Sequence, residues 1–297
     1  MDIRQEITNK IIAIMEQGQQ ATQELWVKSS ASGFPMNAST GKPYNGVNVL
    51  ILWSEAAEHG YEKNLWLTYK QAAAMGAQVR KGEKGTMCAY FEMVKKKGQK
   101  GASQEAENGE DFFPMCKPFW VFNVAQIDGL PEEMTRPVDL ETLPEFSPIE
   151  SAEKILAASG AVINHGGDRA FYSISKDEVF LPERERFTTP ENYYAVGLHE
   201  LTHWTGHKSR LDRKFGKRFG DDAYAFEELV AELGAAFVIG HCGLIGATIE
   251  NHASYLNSWI KVLKNDKTAI FTAAKNAGQA FDLLMEKAGL SEAQPEA

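Results

Sequence analysis

The chain has 297 residues, of which 43% are hydrophobic and 24% charged, and it carries a formal net charge of −9. That length suffices for two domains of ordinary size, and the composition describes a soluble globular protein, which excludes a disordered chain or one embedded in a membrane. The acidic balance excludes whole-protein attraction of a polyanion. It is unevenly spread, however: residues 1–130 hold 14 Lys and Arg against 14 Asp and Glu, and the remainder hold 17 against 26.

The opening residues are charged throughout and offer no apolar stretch of the signal-peptide kind. The most apolar run, Leu233 to Ala247, is too short for a membrane span and contains His241. Three scattered cysteines, Cys88, Cys116 and Cys242, form no CxxC pair and read as buried thiols, so the expected compartment is the cytoplasm.

In chain order, Ile7, Ile11, Ile12, Met15 and Leu25 predict an amphipathic helix over Ile3 to Trp26. Ser29 to Asn48 reads as a long loop ending in the Asn45-Gly46 turn signal, and a second helix begins at Val49. Leu65 to Thr68 reads as a strand and Tyr69 to Gly76 as a short helix. Val79 to Gly85 reads as a hairpin turn leading into a strand over Met87 to Met93. Lys95 to Asp111 is polar and reads as a loop, and Phe119 to Val124 as a final strand. The fold class is α+β, with a first domain over 1–130 and a proline-rich linker over 131–148. The second domain, 149–297, is mainly helical with a small β-sheet. It has a helix over Ile149 to Ala158, then a hairpin of Phe171 to Ile174 with Glu178 to Pro182. An edge strand there can pair with an extended peptide. Helices follow over Pro190 to Gly206, Tyr224 to Ile239, Ala253 to Leu263 and Asp266 to Leu284, and a frayed tail closes the chain from Leu290 to Ala297.

The most informative residues are His199-Glu200-Leu201-Thr202-His203 and, 25 positions on, Glu228-Leu229-Val230-Ala231-Glu232. Two imidazoles four residues apart on a helix can reach one ion from the same face. Catalytic zinc takes three protein ligands and keeps a position for water, and two His with one Glu is a known set. A second helix must bring the third ligand, and Glu228 is placed to do so. Glu200, beside the first ligand, projects toward the position where a general base is needed. The alternative is that Glu227, Glu228 and Glu232 form the wet face of an amphipathic helix whose dry face is Phe226, Leu229, Val230, Leu233 and Phe237. His207 is a reserve ligand at the same spacing, but Gly206 is expected to cap the helix and turn His207 away. Tyr224, Tyr255 and His241 are candidate oxyanion donors.

The first half carries features suited to single-stranded nucleic acid. Arg80, Lys81 and Lys84 form a glycine-rich basic turn for phosphates, and Trp26, Tyr44, Trp53, Trp66, Tyr69, Phe91 and Trp120 offer stacking rings. Asn37, Asn45, Asn48 and Gln71 could read bases or sugars. The plain alternative makes the rings core residues and the turn a solvated hairpin tip. A second basic run, Lys208, Arg210, Arg213, Lys214, Lys217 and Arg218, reads either as a surface loop or as another phosphate contact.

The segment Glu228 to Glu232 resembles the second metal helix of the gluzincin metallopeptidases. That resemblance implies Glu228 as ligand and Glu232 as the outer carboxylate that orients His199 or His203. More broadly, Asn45-Gly46-Val47-Asn48, Trp66 to Ala72, Gly76 to Gly85 and Phe119-x-x-Phe122-Asn123 resemble the N-terminal domain of the ArdC antirestriction proteins. Plasmid conjugative primases of the TraC kind share that domain. His199 to His207 and Glu227 to Glu232 resemble the zincin-like domain that accompanies it. The resemblance implies a plasmid-borne protein that binds single-stranded DNA and protects it from host restriction. Asn48, Trp66, Gln71, Arg80, Lys81 and Lys84 are the expected DNA contacts. The HExxH-plus-Glu residues themselves call for one zinc ion, or another divalent metal, and the leading hypothesis adds a host restriction or defence protein as peptidase substrate, a step that family membership does not establish. The alternative it leaves is a DNA-binding protection protein whose metal site is structural or idle.

Overall fold

A computed structural model describes residues 2–18, 33–95, 112–136, 148–216, 222–244 and 253–290. Residues 19–26 of the expected first helix, nearly all of the expected 95–111 loop, the linker past residue 136 and the tail past residue 290 lie outside the described residues.

Helix α1 (Ile3–Met15) is capped by the Asp2 carboxylate, which accepts from the Gln5 backbone N–H, and it buries Ile7, Ile11, Ile12 and Met15. Strand β1 (Met36–Asn37) leads to α2 (Val47–His59), which starts two residues ahead of the expected Val49. Next come β2 (Leu65–Leu67), α3 (Tyr69–Ala74), β3 (Gln78–Val79), β4 (Thr86–Lys95), β5 (Phe112–Asn123) and β6 (Ile127–Asp128). The main sheet runs β1-β2-β5-β4. The expected hairpin at Val79 to Gly85 is replaced by a different pairing. Strand β3 pairs antiparallel with β6, and β4 pairs along its whole length with β5. The turn is therefore clamped to the end of β5: Gln126 donates to the Lys84 carbonyl and to Glu83.

A short α4 (Glu132–Thr135) precedes the second half, where α5 (Pro148–Ala158) is followed by β7 (Val162–His165), β8 (Phe171–Ser173) and β9 (Glu178–Leu181). The expected hairpin is β8 with β9. Strand β7, which periodicity missed, lies parallel to β9, so the order is β7-β9-β8 and β8 is an edge. Four helices complete the fold: α6 (Pro190–Thr205), α7 (Asp222–Cys242), α8 (Ala253–Asn265) and α9 (Ala269–Ala288).

The largest core joins the two halves. Residues of α1 and α2 pack with α7, α8 and α9 around Trp53, which meets Phe237 edge-on at 5.9 Å. Phe34 meets Phe237 at 6.0 Å and stacks on Phe281 at 5.6 Å. Helix α7 is consequently buried on every side from Glu227 to Gly240. Among the described residues no helix is long and apolar enough to cross a membrane.

Candidate metal centre

Thr189 starts α6 by accepting the Asn192 backbone N–H, with Pro190 in the first turn where its missing N–H costs nothing. Leu198 and Leu201 bury one side of the helix, and His199 and His203 lie one turn apart with ring centroids 4.9 Å apart. The second helix must come very close. It does so at Gly234, where a Cβ would stand 2.5 Å from the Thr202 methyl carbon. A bare backbone at that point lets α7 settle against α6, and Glu228 arrives between the two imidazoles.

Each oxygen of Glu228 then faces one ring: Oε2 lies 3.5 Å from His199 Nε2 and Oε1 lies 3.6 Å from His203 Nε2. One ligand atom from each of the three residues falls within 4.8 Å of the others. These separations exceed hydrogen-bond lengths. Bonds of about 2.1 Å to one tetrahedral ion place donor atoms about 3.4 Å apart, so the set fits a divalent metal ion.

The wet-face alternative is overturned by burial: Glu227, Glu228 and Glu232 are 3%, 8% and 1% exposed. Glu232 sits behind His199, 3.7 Å from Nδ1. His203 has a carboxylate of its own, Glu227, 3.2 Å from its Nδ1. Sequence reasoning set Glu227 aside, although the Glu227-Glu228 doublet was its only signal. Glu227 is in turn gripped by Arg213, whose Nη2 donates to Oε1 at 2.8 Å and whose Nε donates to Oε2 at 3.1 Å. Arg213 also donates to the Thr202 carbonyl and the Thr205 hydroxyl, closing the end of α6.

Two residues of the second basic run are thus structural pins. Besides Arg213, Arg210 stacks 3.7 Å over Trp204, donates to its carbonyl and pairs with Asp177. Lys217 and Arg218 lie outside the described residues. Gly206 does cap α6, yet with a right-handed φ of −76°. The space there is tight: a Cβ would stand 2.8 Å from the Arg213 guanidinium and from the tip of the Phe215 ring, so those side chains would have to shift. His207 turns away to Ser209 and Asp177, so the three donors that converge are His199, His203 and Glu228.

Charge follows from this geometry. Burial opposes ionisation of both imidazoles, but the surrounding carboxylates outweigh it: His199 is raised well above the usual range and His203 to about 9. Burial likewise disfavours the Glu228 and Glu227 carboxylates, yet His199 and His203 hold Glu228, and His203 with Arg213 hold Glu227, below the usual range. Glu200 differs. It is 8% exposed, and burial lifts its pKa against the opposing pull of His199, His203 and the Tyr172 backbone amide. A carboxyl raised in this way holds a proton more readily than a solvated one, which suits an acid-base role.

The residues line a cavity of about 520 Å³, with edge strand β8 on one wall through Phe171 and Tyr172, and Tyr224 and Tyr255 on another. The two phenols are 3.3 Å apart. His241 is elsewhere, at the far end of α7 against Phe281, which removes it as an oxyanion donor.

The expected DNA contacts divide. Asn48 is buried, with its amide donating to the Ala89 carbonyl and accepting the Ala89 N–H, and so ties α2 to β4. Trp66 is fully buried and donates to Asn64. Both serve the core and present no surface to a strand. Gln71 is half-buried and forms the capping box of α3 with Thr68. Arg80, Lys81 and Lys84 are exposed on one turn, with Arg80 paired to Glu83 and Asp128.

Comparison with known proteins agrees with this architecture. Residues 1–122 match the family described as the N-terminal domain of anti-restriction factor ArdC, and residues 150–276 match the zincin-like metallopeptidase family. The chain is 39% identical to the metal-free crystal structure of the antirestriction ArdC protein from plasmid R388, with 97% of this chain and 98% of that one covered at a TM-score of 0.80. The chain belongs to the ArdC antirestriction family. The Mn(II)-bound structure of the same R388 protein superposes at a TM-score of 0.76 with 40% identity and the same coverage. An uncharacterised protein, y4eC, of Sinorhizobium fredii is 39% identical over 95% of this chain and 91% of its own length. Two DNA primases TraC of Escherichia coli are 41% and 40% identical over 95% and 94% of this chain, which spans only 27% and 19% of their length.

Proposed function

We propose that this protein protects incoming plasmid DNA from restriction in the cytoplasm, by binding single strands through residues 1–130 and by cleaving a host defence protein in the zinc cleft of residues 149–297. The observation that carries the second activity is the buried Glu200 carboxyl beside the His199, His203 and Glu228 donors, within a cavity walled by β8, the edge of its sheet among the described residues. Zinc held by His199, His203 and Glu228 would supply Lewis-acid polarisation of a carbonyl and acidify bound water. The β8 edge, outermost in its sheet among the described residues, pairs with an extended peptide backbone and lays it across the cavity. Glu200 accepts a proton from the attacking water and returns it to the departing amine. Glu232 and Glu227 hold the two imidazoles in the orientation that ligation needs.

The DNA role is supported by membership of the antirestriction family and by the exposed basic turn of Arg80, Lys81 and Lys84. The test is incubation of purified restriction enzyme subunits with the zinc-loaded protein, with its Glu200→Gln variant, and with the protein plus chelator. The proposal expects subunit cleavage by the first alone. Full-length subunits in all three arms would leave the metal centre as a structural element of a DNA-binding protein.

A further inference from the structure

The burial of Trp66 and Asn48 removes two of the expected DNA contacts, and the surface shows another ring at the right place. Trp120, on β5, is 49% exposed. Trp53, Trp66, Trp204 and Trp259 are all buried, so among the described residues Trp120 is the one exposed indole. It stands on the same sheet face as Phe122, two residues on, and Phe122 packs into the small core under α3 and β3. The basic turn comes directly onto this face. A Cβ on Gly85 would lie 3.2 Å from the Trp120 Cβ and 3.0 Å from the Phe122 ring, so the glycine brings the turn backbone against the root of the indole. Lys84 is the next residue back.

Charge on the turn is divided. Arg80 is engaged by Glu83 and Asp128, and Glu83 is further held by Gln126. Among the described residues Lys81 and Lys84 make no ion pair, and both are exposed. The turn is rigid as well, because the Arg80 N–H donates to the Gln126 carbonyl and Gln126 donates to the Lys84 carbonyl. The result is a pair of exposed lysines on a backbone-anchored turn whose Gly85 abuts a half-exposed indole. A base stacked on a ring, with its phosphates on neighbouring cations, is how proteins hold single strands irrespective of sequence. In a duplex the base faces are stacked on one another and offer nothing to the indole.

We infer that Trp120 is the stacking platform for one base of a single DNA strand, with Lys81 and Lys84 holding the adjoining phosphates. This rests on the single-strand reading proposed above and assigns its contact surface. Tyr69, 50% exposed at the start of α3 and hydrogen-bonded to Gln78, lies on the flank of the same small lobe.

The test titrates the full-length protein with a deoxythymidine oligomer at several salt concentrations, following both anisotropy of the labelled strand and tryptophan emission. The expected result is quenching on binding, with affinity reduced roughly five- to hundredfold in Trp120→Ala and largely kept in Trp120→Phe. Lys81→Ala with Lys84→Ala should lower affinity and flatten the dependence of log affinity on log salt by about 1.4. Melting temperature and zinc content should not change, because the altered side chains lie at the surface. Wild-type affinity in Trp120→Ala would overturn the platform while leaving DNA binding intact. Failure of the unaltered protein to bind the oligomer would refute the DNA role itself. A Trp120→Ala protein that binds DNA normally but loses protection would assign the indole to a protein partner and overturn the inference.

Discussion

Arg213 and Glu227 form a two-pronged ion pair directly behind His203, with both side chains about 5% exposed or less. The arginine comes from the loop after α6, so that helix is tied at its C-terminal end to the carboxylate that contacts His203 Nδ1. Removing one member of a buried pair leaves the other charged and unpaired, at a cost of about 3–5 kcal/mol. Arg213→Met is therefore predicted to lose that much stability in urea unfolding and to bind zinc roughly 10- to 100-fold more weakly in chelator competition. Adding Glu227→Gln should restore part of the stability but not the affinity. Unchanged zinc affinity in Arg213→Met would show that Glu227 orients nothing.

Gly234 and Thr202 set the spacing of the two metal helices. Gly234→Ala places a carbon 2.5 Å from the Thr202 methyl, and the helices must move apart. Overpacking of this kind costs about 1–3 kcal/mol. Because Glu228 lies on α7 and both histidines on α6, zinc affinity should fall with it. Thr202→Ala in the same chain removes the obstructing atoms and should recover affinity. A Gly234→Ala protein with full affinity would contradict the spacing argument.

The metal-free site predicts a pH dependence with a defined sign. His203 is raised to about 9 in the folded protein, and His199 is raised too. Unfolded imidazoles titrate near about 6.5. A group whose folded pKa is raised contributes its stability fully below the unfolded value and loses it as pH climbs through the folded one. Metal-free protein should thus weaken between about pH 6.5 and 9. Ligation takes neutral imidazoles, so zinc-loaded protein should be flatter there, and loading at neutral pH should release protons. Calorimetry in two buffers of different ionisation enthalpy counts them. A count of zero would mean that the histidines are already neutral and that the carboxylates do not hold them charged.

Trp53 joins the halves. Its indole meets Phe237 on α7, the helix that also carries Glu228 and Glu232. Trp53→Ala should cost about 3–5 kcal/mol. Loss should be seen in one transition by helical circular dichroism and by release of zinc alike. Two separate transitions would mean that the halves are stabilised independently.

Much of the site was legible because its chemistry is written in helical spacing. His199 and His203 at i and i+4 must share a face, and Glu200 beside them cannot avoid the cleft. The Glu227 role was not legible, since it depends on Arg213 arriving from a loop whose cations looked like solvent-facing charge. Nor could periodicity reveal why Gly206 and Gly234 are glycine, because both sit at a close approach between segments distant in sequence or around a turn. In the fold, α6 and the β8–β9 hairpin followed from caps and alternation. Strand β7 was missed because it is half-exposed and pairs in parallel with β9, with β8 coming between the two in sequence. Strand β3, of two residues, was assigned to the wrong partner because its mate β6 lies beyond the whole β4–β5 pair.

The most direct test of the account is transfer of unmodified plasmid DNA into a restricting host that carries either the unaltered protein or Glu200→Gln at equal abundance. Glutamine keeps the shape of the side chain and removes its capacity to take a proton, while His199, His203 and Glu228 stay in place. The account predicts equal zinc content in the two proteins and loss of protection in the variant. Full protection by Glu200→Gln would contradict it and place the whole effect in the binding of DNA.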